Sequence, residues 1–167
     1  METINWEAVQ AISETLGLLI VVGSLIYVGL EVRQNAKATR AATMNNIMSN
    51  WGEAYRGLSE SENVGTLIWK GVQDVNNLEG ADRWRFSVQI VALFHNYQNA
   101  HYQWSLGLYD AGAWAAQSKY LANLMSLAGV HSVWEERSVM FSKDFQDYME
   151  SVVISASVDG NYSLVGA

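Results

Sequence analysis

The sequence predicts an all-α protein: one N-terminal transmembrane helix that continues into a long helix, packed with about four or five further helices in a bundle. Three observations carry this. Proline is absent, so nothing forces a kink in a long helix. Apolar residues recur at steps of three and four along most of the chain, and no stretch alternates with a strand's period of two. Half of the 167 residues are hydrophobic and only 16% are charged, and the apolar excess lies near the N-terminus, where an anchor would place it.

The first element runs through Thr15–Leu30, sixteen residues without a charge. A span needs about 17–25 residues. Ala8, Val9, Ala11 and Ile12 lengthen the stretch upstream, interrupted by Gln10, Ser13 and Glu14. A tilted or locally thinned arrangement accommodates the length. Trp6 and Tyr27 are amphipathic rings suited to the two interfaces.

Charge orients the segment. Residues 1–32 hold four acids (Glu2, Glu7, Glu14, Glu31) and no base, whereas residues 33–40 hold Arg33, Lys37 and Arg40 and no acid. Bases on the C-terminal side place the N-terminus outside and the body in the cytoplasm, which locates the chain in the inner (cytoplasmic) membrane.

Other readings of this segment compete. Ala36-Lys37-Ala38 imitates a signal-peptide cleavage site, but the preceding region is acidic rather than basic. The run is also short enough to be the buried central helix of a soluble bundle. A helix lying flat in the interface would be amphipathic, whereas Leu18 to Val22 is apolar on every side. Glu14 either marks the outer boundary or, with Ser13, Gly17 and Ser24, faces a pore axis or a helix interface.

The domain division that follows is 1–32 for the membrane segment, 33–154 for a helical cytoplasmic bundle, and 155–167 for a flexible tail. The first helix is expected to reach from about Trp6 to Leu58, roughly 80 Å at 1.5 Å per residue. Ala41, Met44, Met48, Trp51, Tyr55 and Leu58 form a heptad-like stripe along its second half. The stripe serves packing against later helices or self-association. A short helix follows from Glu62 to Gln73, and Asp74 to Gly80 reads as a loop.

Asp82 to Leu106 forms the next helix. Phe86, Ile90, Leu93, Tyr97, Ala100 and Trp104 make one apolar stripe, and Trp84, Val88 and Val91 a neighbouring one. So much apolar circumference places this helix centrally. Gly107 ends it, and Asp110 caps a helix whose Trp114, Leu121, Leu124 and Met125 face inward. Gly129 separates a further helix with Val130, Val133, Trp134, Met140 and Phe141. Ser142 caps a last helix from Lys143 to Val153, with Asp144 in its first turn.

Several runs resemble an uncharacterised family of small bacterial single-span membrane proteins with a helical cytoplasmic domain. They are Trp6-Glu7-Ala8-Val9 before the glycine-punctuated apolar run, Val32-Arg33-Gln34-Asn35, Tyr97 to Gln103 with Leu106-Gly107-Leu108, and Trp134-Glu135-Glu136-Arg137 leading to Phe141-Ser142 and Phe145. The resemblance covers nearly the whole chain. It implies one membrane helix and a helical body, and no activity. The chain departs from the family at Gln98, where an acid is expected, and at Ala128, where a proline is expected.

Chemistry-bearing residues are few. Cysteine is absent, which removes disulfides, a thiol nucleophile and Cys-type zinc sites. His95, Asn99 and Tyr102 share a helix face with Gln98 beside them, either as a ligand pocket or as a mutually satisfied polar cluster. His95 and His101 are six apart, on different sides of the helix, and no Glu-x-x-His pair accompanies them, so no metal is expected. Arg137 aligns with apolar Val130 and Val133, where a buried guanidinium would need a partner, so it is expected in a structural ion pair. No phosphate loop, nucleophile elbow or triad order appears, and no cofactor is expected.

The net charge of −7 leaves thirteen acids against seven bases beyond residue 40, which argues against nucleic acid as a partner. The expected partners are the lipid bilayer and either further copies of the chain or a larger membrane complex. The leading functional expectation is a membrane-anchored interaction or scaffold protein. A homo-oligomeric channel and a small-ligand sensor or enzyme using the His95 region are the alternatives.

Overall fold

In the computed structural model, residues 5–59 and 62–155 are described, and every regular element among them is helical. Six α-helices occur: α1 (Trp6–Ser59), α2 (Glu62–Gln73), α3 (Gly80–Ser105), α4 (Ala111–Met125), α5 (Ala128–Arg137) and α6 (Lys143–Tyr148). Single 3₁₀ turns follow α2 (Val75–Asn77) and α5 (Ser138–Met140), and a π-helical turn, Met149–Ile154, continues α6. The expected tail lies outside the described residues beyond Ser155.

The chain divides into two compact units, Met1–Ala41 and Ala42–Ala167. The first consists of the N-terminal part of α1. Its large apolar side chains are exposed, among them Leu18, Ile20, Leu25 and Ile26, each at 60% or more.

The second unit is built around α3. Phe86, Phe94, Tyr97 and Ala100 on α3 are fully buried, with Ile90 at 5%. Phe94 meets Trp134 of α5 edge-on at 5.0 Å between ring centres and Phe141 at 5.9 Å. Such edge contacts add to the burial term for aromatic pairs. From α1, Trp51 sets its ring against Tyr97 at 4.6 Å.

Local signals place the ends of α3 and α4. Gly107 adopts φ +69, the left-handed conformation that ends a helix, and Leu108 N–H returns to the Gln103 carbonyl at 2.9 Å. The Asp110 carboxylate then accepts from Ala113 N–H at 2.9 Å and starts α4. Within the expected loop, the Asp74 side chain accepts from Asn76 N–H and caps a 3₁₀ turn.

Three packing expectations are corrected. The buried face of α1 in the second unit is Ile47 and Trp51 with Met44 alongside, while Met48 and Tyr55 of the expected stripe are 41% and 48% exposed. The second stripe of α3 finds cover only at Val91, which packs against the core, while Trp84 and Val88 are exposed. Met140 points outward because the 3₁₀ turn after α5 breaks the helical phase, and Phe141 alone returns to the core.

Gly129 has a different role from the one expected. It is the second residue of α5, buried, and the helix break lies before it at Ser126–Leu127. A Cβ at Gly129 would overlap the Gly71 carbonyl of α2, and a Cβ at Gly71 would overlap the Phe86 ring. Gly129 lets α5 approach the backbone of α2, and Gly71 lets α2 close on the Phe86 ring of α3.

Candidate functional site

In the first unit several polar side chains of α1 bond within the helix. The Ser13 hydroxyl donates to the Val9 carbonyl and that of Ser24 to Ile20, both at 2.8 Å. Glu14 accepts from the Gln10 carboxamide at 3.0 Å. A helix in lipid must satisfy its polar groups internally, and these one-turn-back bonds do so for the two serines. A Cβ at Gly17, Gly23 or Gly29 would meet nothing within 4 Å, so this surface is open at all three. The window of highest hydropathy in this helix averages 2.1 over 18 residues, none of them buried. By length and composition, α1 can cross a membrane.

The four residues of the expected ligand pocket do not converge on a cavity. His95, Asn99 and Tyr102 are exposed, and the His95 ring lies against Phe141 at 4.8 Å between centres. Gln98 is the member with a long-range hydrogen bond, its carbonyl oxygen accepting from Ser142 N–H at 2.7 Å.

Ser142 is the N-cap of α6, and its own side chain makes no capping bond. In a capping box the third helical residue reaches back to the N-cap N–H, but here that position is Phe145, which is buried. Gln98 supplies the missing acceptor from α3. Gln98→Ala is therefore expected to cost about 1 kcal/mol in a denaturation experiment. Gln98→Glu should keep the bond, because a carboxylate at a helix N-terminus is favourable. The acid that the resemblance places here would fill the same capping role.

Arg137, expected to be buried in an ion pair, is instead exposed at the last residue of α5, and no salt bridge involves it among the described residues. The ion pair at this end of α5 belongs to its neighbour: Glu136 accepts from Arg83 of α3 at 3.1 Å. The alignment with Phe141 beyond it holds only while the helix continues, and α5 stops at Arg137.

His101 is the histidine that the fold encloses. Its ring is surrounded by Tyr148 at 4.7 Å, Trp114 at 5.6 Å, and Trp104 and Phe145 at 5.7 Å between centres. The Ser118 and Tyr148 hydroxyls are hydrogen-bonded, and the Trp114 indole N–H is buried without a partner. Trp104, Trp114 and Tyr148 also line an apolar cleft of about 430 Å³ with Ala111 and Ala115. The sequence signal was the spacing of His101 from Tyr97 and Trp104, which puts it on the buried stripe, but histidine carries no apolar label and the ring cluster forms only across three helices.

Burial holds the His101 imidazole below its ordinary value, with Asp144 opposing in part. The unfolded chain therefore takes up a proton that the folded chain resists. The contribution to stability is full above the ordinary histidine value of about 6.5 and declines as pH falls from there toward the folded-state value. Thermal melts between about pH 8 and about pH 5 should show this slope, and His101→Phe should flatten it.

A second aromatic group lies on the other side of α3. Tyr55 of α1 is hydrogen-bonded to Tyr120 of α4, and both line an apolar groove of about 580 Å³. Burial raises the Tyr55 and Tyr97 phenols above the ordinary value, so both stay neutral O–H groups. Among the described residues no three of His, Asp and Glu come together as a metal site would need. Compared with family models, curated proteins and solved structures, the chain matches none.

Proposed function

We propose that the protein is a membrane-anchored helical interaction or scaffold protein, with α1 crossing the inner membrane and the helical body in the cytoplasm. The observation that carries this reading is the exposure of the uncharged run Thr15–Leu30. Leaving side chains such as Leu18, Ile20 and Leu25 in water forgoes roughly 1.5–3 kcal/mol each. A soluble monomer rarely presents an apolar surface of that size, and a lipid phase covers it. The bases Arg33, Lys37 and Arg40 directly after the run support the cytoplasmic assignment of the body.

Scaffold function is the reading the side chains favour over chemistry. The His101 ring is surrounded by aromatic groups, and Gln98 of the expected polar cluster caps a helix. Self-assembly, or assembly with a larger membrane complex, would use the exposed aromatic residues Trp69 and Trp84 of the body.

The test is the particle extracted in mild detergent. The full chain is expected to remain with membranes through alkaline carbonate washing and to elute as a defined assembly. Recovery of a monodisperse soluble monomer without detergent would end the proposal.

A further inference from the structure

The groove between α1, α2, α3, α4 and α5 has no part in the anchor reading, and its chemistry is specific. Its floor is aliphatic, formed by Ile68 and Val72 of α2, Leu93 of α3 and Leu124 of α4. Trp69, 51% exposed, also lines it. At about 580 Å³ it lies inside the range of small-molecule sites.

Not one residue lining this groove is charged. Its polar groups are the Tyr55–Tyr120 phenol pair and the carboxamides of Gln73, Gln89 and Asn96. The Tyr97 hydroxyl, close enough for both phenols to oppose its ionisation, is fully buried and has no hydrogen-bond partner.

A site of this kind selects by charge. A carboxylate or an ammonium group would lose its hydration and meet no counter-charge, at a cost that apolar contact does not offset. A neutral molecule with a flat ring gains the apolar walls, and a carbonyl oxygen on it accepts from phenol and carboxamide donors. Oxygen-free hydrocarbons would leave those donors unmatched.

We propose that this groove binds an uncharged, lipid-soluble ring compound carrying carbonyl oxygens, a ligand of the quinone class. The site lies wholly within the second unit, so it stands whether or not α1 crosses a bilayer.

Menadione is the probe, because the chain has no cysteine to add to it and binding is read as reversible. The full chain in lipid nanodiscs is titrated by calorimetry, with empty nanodiscs subtracted. Menadione should bind one per chain. 2-Naphthoate, of the same ring size but anionic, and 2-methylnaphthalene, without oxygen, should bind at least about fivefold more weakly. Tyr120→Phe should weaken menadione by about fivefold, and Leu93→Trp should abolish binding by filling the groove. If Leu93→Trp fails to fold by circular dichroism, Ala92→Phe at the exposed wall replaces it.

Equal binding of 2-naphthoate, unchanged binding in the groove-filled variant, or no menadione binding would overturn the proposal. A change in particle mass on filling the groove, without menadione binding to the original chain, would assign the groove to a second copy and overturn it as well.

Discussion

Val22→Lys with Leu25→Lys should remove the protein from the membrane. Both residues lie near the middle of the uncharged run and are 45% and 68% exposed. A lysine at the centre of a spanning helix costs about 2.5–3.5 kcal/mol, so the pair costs about 5–7 kcal/mol. That is enough to abolish insertion of a segment with only sixteen uncharged residues. The two positions are three apart on one helix face, so snorkelling toward opposite interfaces relieves little of the cost. Fractionation with carbonate washing reads the result, and Val22→Ala with Leu25→Ala controls for lost apolar area. Membrane retention of the double lysine variant would mean that α1 is held by protein rather than by lipid. The thermal transition of the body should be the same in both variants, because neither position belongs to its core.

Gly129→Ala should destabilise the body by at least about 3 kcal/mol, near the upper end for overpacking. The ordinary cost comes from side chains that shift. Here the added methyl meets the Gly71 carbonyl, and the carbonyl carbon lies only 2.8 Å from its position. That carbonyl is part of α2 and cannot swing aside without distorting the helix. Gly71→Ala should cost a comparable amount by another route, because its methyl overlaps the ring of Phe86, which is fully buried. The double variant should cost less than the sum, since one outward shift of α2 from both α3 and α5 relieves part of both clashes. Urea denaturation measures all three. A midpoint for Gly129→Ala close to that of the original chain would mean that the two helices do not touch there.

These two experiments separate what is written locally from what is not. The apolar run is legible because a stretch such as Leu18 to Val22 is apolar on every side, and an uncharged run of sixteen residues needs no partner to be recognised. The end of α3 and the start of α4 are legible for a similar reason. Gly107 and Asp110 carry their signals in the backbone conformation and capping bond that they themselves make.

The core faces of α1 and α3 were legible only in part. Helical periodicity offers several overlapping apolar stripes, and only the neighbouring helices select one. Ile47 rather than Met48 is buried because α1 presents the face carrying Trp51 to Tyr97. Trp84 and Val88 remain exposed, on the wall of an open cleft that α3 shares with α2. Arg137 looked buried on the assumption of a continuing helix, and α5 ends at that residue.

The candidate sites were the least legible. Gln98 and Ser142 are 44 positions apart, and the bond between them depends on where α6 begins relative to α3. His101 acquires its lowered proton affinity from rings on α4, α6 and the turn of α3 that carries Trp104. The tyrosine-edged groove draws its walls from five helices. By itself the sequence determined the helical class, the apolar run with its flanking charges, and the helix ends marked by Gly107 and Asp110, because each rests on interactions within a few residues. The tertiary structure alone decided which stripe is core, why two glycines meet at the α2–α5 crossing, and which polar side chains are enclosed. Those depend on contacts between distant segments, and local periodicity leaves them degenerate.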